Sequence, residues 1–131
     1  MLAGVKTIHT PENIESATNL LLETNVRPLY GGVALHRESP LNVTAVVDLS
    51  LLGIDQHRAF DTGYALGGMM TLQAVLNACE SMQERFATAA FVAKIIREEA
   101  PMNMRNTMTI GDLLIERRWN SVLLTALVLF D

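Results

Sequence analysis

The sequence predicts an α+β fold whose N-terminal part follows the α/β pattern. Short β-branched runs alternate with a helical segment before residue 53, two strand-like runs flank a turn near residue 62, and the chain becomes helical after residue 70. No linker-like stretch, internal repeat or low-complexity segment divides the chain. We therefore expect one unit made of two subdomains, 1–52 and 53–131.

The first subdomain begins with an alternating run at 5–9, which predicts a short strand. A helix over about 11–23 follows, with Thr10 as its N-cap and Pro11 at its first helical position. Asn25 is a reasonable stop for this helix. The apolar positions of this helix form one stripe along it, and they are Ile14, Ala17, Leu20, Leu21 and Leu22.

The remaining elements follow in order along the chain. A short run at 27–30 leads into Gly31 and Gly32, and the β-branched run at 43–48 predicts a buried strand. The turn at 61–63 joins two short strands of the second subdomain. Three helices are then expected, from an N-cap at Thr71 to about Cys79, over 86–99 and over 121–130.

Composition excludes several classes of protein. The 131 residues are 50% hydrophobic, with a mean hydropathy of +0.25, so the chain can bury a real core. The net charge of −4 and the scattered basic residues give no reason to expect nucleic acid as a partner. No secretory pattern and no apolar run of about 20 residues is present, so we expect a soluble, cytoplasmic protein that does not bind a membrane.

The sequence contains no self-contained catalytic constellation. The three histidines have no second ligand at helix or hairpin spacing, so we expect neither a metal site nor catalytic side chains. Cys79 lies in an apolar segment and is expected to be a buried structural thiol. Two glycine-bearing turns, at 31–32 and at 109–111, stand out because glycine lets backbone N–H groups approach an anion closely.

Several segments match a known family in letters and in order. The run 104–111 (Met-Arg-Asn-Thr-Met-Thr-Ile-Gly) is similar to the family pattern V-R-N-R-G-T-I-G. The others are 8–17 (x-P-x-(S/T)-L-x-E-A), 29–35 (L-x-A-G-G-T-D-L), 45–50 (x-L-V-D-I-S), 66–71 (I-G-A-x-T-T) and 126–131 (A-L-L-A-L-D). Over nearly its whole length the chain thus resembles the FAD-binding domain of molybdenum hydroxylases, as in the carbon monoxide dehydrogenase medium subunit and xanthine dehydrogenase.

The resemblance implies a two-part FAD-binding fold, here with an incomplete second sheet. In that family FAD stretches between the two parts, and the Gly-Gly loop and a T-I-G-G-N loop hold its pyrophosphate. The flavin takes electrons from a molybdenum centre through iron–sulfur clusters and passes them to an acceptor. Molybdenum-cofactor and iron–sulfur subunits are the implied partners. The implied FAD contacts are Tyr30, Gly31, Gly32, Val33, Ala34, Leu35, Thr71, Thr109, Ile110, Gly111 and Asp112.

Five positions depart from the family pattern and weaken the case for FAD. Val33 and Ala34 replace Thr and Asp, and Val122 stands where Asp is usual; Asp112 and Leu113 replace Gly and Asn. A carboxylate about 5 Å from a phosphate charge costs about 3 kcal/mol at an effective dielectric near 20. Asp112 would also have to adopt the backbone angles that a glycine supplies.

Three functions are therefore open. The chain is a flavoprotein component that is not a complete enzyme by itself, or a degenerate member that no longer binds FAD and serves as a small-ligand-binding, assembly or regulatory partner. The third interpretation is an unrelated α/β domain whose glycines only form turns. Arg105 and Asn106 either contact a cofactor or partner, or tie down their loop through backbone hydrogen bonds. Because the family continues past the last helix, we also expect a homo-oligomer, most simply a dimer, that covers the sheet edge.

Overall fold

The computed structural model describes residues 4–29, 42–115 and 121–130. Its first sheet has three parallel strands, β1 (Thr7–His9), β2 (Val26–Leu29) and β3 (Ala45–Asp48), in the order β1-β3-β2. Val46 of β3 lies opposite Ile8 and Arg27 in the two neighbouring strands. The first three residues of β3 are buried, which confirms the buried strand predicted at 43–48.

Helix α1 (Ile14–Leu21) connects β1 to β2 and is shorter than predicted. Its N-cap is Asn13, whose Oδ1 accepts a hydrogen bond from the Ser16 backbone N–H at 2.8 Å, so the prediction of Thr10 as the cap was wrong. The amide of Asn13 competes successfully for this place because Asn is among the strongest N-cap residues. Of the predicted apolar face, Ala17 is buried, but Ile14 and Leu22 are 63% and 79% exposed.

The second sheet is a two-stranded antiparallel hairpin of β4 (His57–Ala59) and β5 (Tyr64–Leu66), as predicted. The turn between the strands is closed by a 2.7 Å hydrogen bond from Phe60 N–H to the Gly63 carbonyl. A short 3₁₀ turn (Ser50–Leu52) precedes the hairpin and ends at Gly53, which has a φ of +65°. Glycine suits that left-handed conformation because it has no Cβ to clash.

Five helices complete the described chain: α2 (Leu72–Met82), α3 (Ala87–Glu99), α4 (Met102–Thr107), α5 (Ile110–Ile115) and α6 (Val122–Leu129). Helices α2, α3 and α6 confirm the three predicted helices, with α2 extending beyond Cys79 to Met82. Helices α4 and α5 were not predicted, and the glycine-bearing turn expected at 109–111 is instead the start of α5. Each has only six residues, which is less than two turns and too short for an apolar period to show.

Buried apolar residues form one large cluster in the helical part and smaller clusters at the parallel sheet. The large cluster joins α2, α3 and α6, with Cys79, Ala93 and Ile96 completely buried. The complete burial of Cys79 confirms the buried thiol predicted there, and this burial raises the pKa of the thiol to about 11. Among the helices in the described ranges, none is long and apolar enough to cross a bilayer. The division into subdomains at residue 53 stays a prediction.

Candidate functional site

The predicted cofactor residues fall into two groups in the structure. Tyr30, Gly31, Gly32, Val33, Ala34 and Leu35, which make up the first loop, lie outside the described residues. Thr71 and the segment 109–112 are described, and the fold brings them together. Thr71 and Thr109 face each other in an isolated antiparallel β-bridge. The two motif segments 66–71 and 104–111 are therefore neighbours, although 32 residues separate them in the sequence.

Three backbone hydrogen bonds hold these segments side by side. Leu72 N–H donates to the Met108 carbonyl at 2.9 Å, and Ile110 N–H donates to the Met70 carbonyl at 3.2 Å. Gly111 N–H donates to the Gly68 carbonyl at 2.7 Å. The start of α5 is thus fixed against the segment that leads into α2.

Thr109 and Asp112 form a reciprocal capping pair at the start of α5. The Asp112 N–H donates to Thr109 Oγ1 at 3.1 Å. In return, Asp112 Oδ2 accepts hydrogen bonds from the Thr109 N–H at 2.9 Å and from the Thr109 hydroxyl at 3.0 Å. Thr109 and Asp112 are 2% and 0% exposed. This is a capping box in which Asp takes the place usually held by Glu or Gln.

The N–H groups that could hold a phosphate here already have partners. Those of Thr109 and Asp112 belong to the capping pair, and those of Ile110 and Gly111 bond to carbonyls of the 68–70 segment. Family loops of this kind hold phosphate with free backbone donors. The described half of the implied FAD site therefore does not fit a pyrophosphate in this arrangement, and its role as a cofactor contact stays a prediction.

The position of Asp112 in the structure corrects one expectation about it. It lies inside helix α5, where any L-residue adopts the backbone angles without strain. The expected conformational cost of replacing glycine at this position is therefore wrong. Its carboxylate instead has hydrogen-bond donors from its own helix start, which reduces the cost of burying a charge.

Thr71 is the N-cap of α2, as predicted. Its Oγ1 accepts a hydrogen bond from the Ala74 N–H at 3.1 Å, and this satisfies one of the free donors of the first turn. The predicted contact of Thr71 with a cofactor is not tested by this arrangement, and the hydroxyl already has one backbone partner.

Gly67 is a close-approach position that the sequence reasoning did not single out. A Cβ there would overlap the carbonyl of Ile54 and would lie 2.8 Å from the Gln56 carbonyl oxygen. The Gly67 N–H donates to that Gln56 carbonyl at 2.9 Å. The glycine pair that follows β5 is the sequence signal for this approach.

Two other departures from the family pattern also have structural positions. Leu113 is 3% exposed and packs in the large core cluster, so the place of a family asparagine is taken by a core side chain. Val122 is the exposed first residue of α6. Neither side chain can hydrogen-bond a cofactor.

Two further observations concern Arg105 and the metal-ligating side chains of the described residues. Arg105 lies on α4, and among the described residues its buried Nε has no hydrogen-bond partner, so neither interpretation of Arg105 is decided. Within the described ranges, no group of three or more His, Cys, Asp or Glu side chains could hold a metal ion.

An open apolar cleft of about 940 Å³ lies between the β4–β5 hairpin and helices α3, α5 and α6. Four aromatic side chains are part of its lining, and they are Phe60, Tyr64, Phe86 and Phe130. Burial among these groups raises the pKa of Tyr64. The expected homo-oligomer is not tested by one chain and stays a prediction.

A parallel three-stranded sheet with one connecting helix, followed by a hairpin and a helical part, defines an α+β fold in the part of the chain that the structure describes. The model of the family described as the FAD binding domain in molybdopterin dehydrogenase matches residues 4–131, and the chain belongs to this family. The resemblance derived from the sequence motifs is confirmed. A search of curated proteins finds no match.

Solved structures have the same fold. Carbon monoxide dehydrogenase from Hydrogenophaga pseudoflava lacking the Mo-pyranopterin moiety of its cofactor has a TM-score of 0.66 at 23% identity, and the match covers 84% of this chain and 39% of that one. Reconstituted CO dehydrogenase from Oligotropha carboxidovorans gives 0.62 at 25% identity, with 82% and 38% covered. A cyanide-inactivated Cu,Mo-CO dehydrogenase gives 0.61 at 23%, with 82% and 39% covered. The chain spans less than half the length of each.

Proposed function

We propose that this chain supplies the flavin-domain scaffold of a molybdopterin dehydrogenase, as a component of an oxidoreductase and not as a complete enzyme. The observation that carries this proposal is the family match over residues 4–131. The pairing of Thr71 with Thr109 supports it, because two segments with family letters meet in the fold. A bound flavin would supply the redox chemistry, and the chain would position it.

A second candidate is a member of the family that does not bind FAD and acts as a small-ligand-binding, assembly or regulatory partner. The observation that favours it is specific. All four N–H groups of 109–112 donate to acceptors within the chain, and the Asp112 carboxylate is buried beside them.

Flavin binding separates the two candidates. The purified protein is examined for flavin absorbance and is then titrated with FAD while its melting temperature is followed. At a free FAD concentration 100 times Kd, binding adds about 2.7 kcal/mol of stability, a shift of about 10 °C for a domain of this size. Colourless protein whose melting temperature does not respond to FAD excludes the flavin-component proposal and leaves the second candidate.

The family resemblance also leads us to propose molybdenum-cofactor and iron–sulfur subunits as partners. A tagged chain is co-expressed with such subunits from its own source, and the complex is analysed by size-exclusion chromatography. Co-elution in a fixed ratio supports the proposal. Elution of the chain alone, under conditions in which the other subunits assemble, contradicts it.

A further inference from the structure

We propose that the segment 109–112 is a closed structural capping box, and that this chain takes no phosphate group at the start of α5. In this proposal Asp112 is a positioning residue for the fold, which holds α5 against the 68–72 segment. The inference rests on the proposed function only for the expectation that a phosphate would otherwise lie here. It concerns one helix start, and it holds whether or not FAD binds through other residues.

The first argument is the reciprocity of the pair. Thr109 Oγ1 accepts from the Asp112 N–H, while Asp112 Oδ2 accepts from both the N–H and the hydroxyl of Thr109. A glycine at 112 would keep the first of these bonds and lose the other two, because only a side chain can supply the acceptor. With Asp112 in place of the family's glycine, the Thr109 N–H therefore has a hydrogen-bond acceptor within the chain.

The second argument is the cost of opening the segment. A phosphate that recruited the N–H of Ile110 or Gly111 would leave the carbonyl of Met70 or Gly68 without that donor. Met70 is 3% exposed, and an unpaired buried backbone group costs as much as a lost hydrogen bond. The phosphate would also approach the Asp112 carboxylate, which is 0% exposed and therefore poorly screened. The hydrogen bonds that close the segment and the charge of the Asp112 carboxylate thus both disfavour phosphate binding.

Closure and charge can be separated with Asp112→Asn. The amide oxygen of Asn still accepts a hydrogen bond from the Thr109 N–H, but the side chain has no charge. If the segment is closed by hydrogen bonds, this variant stays closed and, like the wild type, shows no measurable binding of inorganic pyrophosphate. If charge alone excludes phosphate, the variant gains pyrophosphate affinity in calorimetric titration, and the inference is overturned.

The direct test is amide hydrogen exchange by NMR on the full chain. We expect the amides of 109–112 to exchange slowly without ligand and to keep their rates and chemical shifts in saturating pyrophosphate. Amides that exchange rapidly alone and become protected by pyrophosphate would overturn the inference. FAD is the second probe. Flavin binding that leaves the exchange rates of these amides unchanged supports both the inference and the proposed function. If the amides exchange slowly and no flavin binds, only the proposed function is contradicted.

Stability variants test the structural role of the pair. Asp112→Ala should lower the folding equilibrium constant about tenfold, as loss of a helix cap usually does. Thr109→Val removes the other partner, and the double variant should lose less than the sum of the two single losses because the residues share their bonds. Additive losses contradict a reciprocal pair. Asp55→Asn, at an exposed aspartate, is the matched control and should leave the urea midpoint of unfolding unchanged. If Asp112→Ala does not fold, Asp112→Asn carries the comparison.

Discussion

Glu99 and Leu123 are joined by a hydrogen bond across 24 residues, in which Glu99 Oε2 accepts from the Leu123 backbone N–H at 2.8 Å. The last residue of α3 therefore caps the start of α6. Ser121 provides the second cap, since its Oγ accepts from the Leu124 N–H at 3.2 Å. A carboxylate is favourable at this place because the N-terminus of a helix carries a partial positive charge. The two caps hold the start of α6, and one of them ties it to the end of α3.

Replacement of Glu99 by alanine should destabilise the protein by about 1 kcal/mol, because one free donor of α6 loses its charged acceptor. This corresponds to a fall in melting temperature of about 4 °C for a domain of this size. Glu99→Gln keeps an acceptor oxygen and should lose less. Glu98→Ala, at the exposed neighbouring residue, is the control. Equal losses for the Glu98 and Glu99 alanine variants in thermal unfolding would contradict the capping role.

Replacement of Gly67 by alanine should cost about 1–3 kcal/mol, as overpacking against fixed atoms usually does. The added Cβ would overlap the Ile54 carbonyl, and backbone atoms cannot turn aside as a flexible side chain can. The adjacent Gly68→Ala is a matched control, because a Cβ there meets nothing within 4 Å. Urea unfolding of both variants checks the prediction, which fails if the two lose similar stability.

The sequence predicted the elements whose patterns lie within a short stretch of residues. The β-branched run of β3, the turn between β4 and β5 and the 13-residue helix α3 all follow from residue types within a few positions. The cap of α1 was misplaced because Thr10 followed by Pro11 also fits a helix start, although Asn13 is the stronger N-cap residue.

The candidate site and its surroundings follow from the sequence only in part. The Thr109-x-x-Asp112 spacing is a capping-box signal, so α5 could have been found from the sequence alone. The family resemblance instead predicts a phosphate loop at the same positions. The contact between Glu99 and Leu123 depends on how α3 and α6 meet, and no local pattern contains that information.

Cys79 should make stability decrease in alkaline solution. Burial raises the pKa of the folded thiol from 9.0 to about 11, while the unfolded thiol keeps its ordinary value. Between these two pH values the unfolded state has lost a proton that the folded state retains, so stability is lost as the pH rises from about 9 to about 11.

Urea midpoints measured across that range check the direction of the Cys79 effect, with Cys79→Ala as the control that removes this contribution to the slope. The same burial should make the thiol react slowly with a disulfide reagent until the protein is denatured. Rapid labelling of the native protein at neutral pH would contradict the buried position.

Restoring the family's asparagine at position 113 should destabilise the fold. Leu113 is 3% exposed and packs in the large core cluster, so Leu113→Asn removes apolar contacts and buries an amide. Loss of a buried leucine side chain costs about 2–5 kcal/mol, and an unpaired amide adds to that cost. Leu114→Asn changes the same residue type one position along, where the side chain is 55% exposed, and should cost less than about 0.5 kcal/mol.

Rebuilding the family's phosphate loop at 112–113 should also cost stability. An Asp112→Gly, Leu113→Asn double variant removes the capping carboxylate and a core side chain together, so we expect it to lose more stability than either single variant. Urea unfolding of the four proteins, including the wild type, measures the two losses separately. A double variant as stable as the wild type would contradict this expectation. It would mean that position 113 lies outside the core, and that α5 starts equally well with glycine at 112 and asparagine at 113.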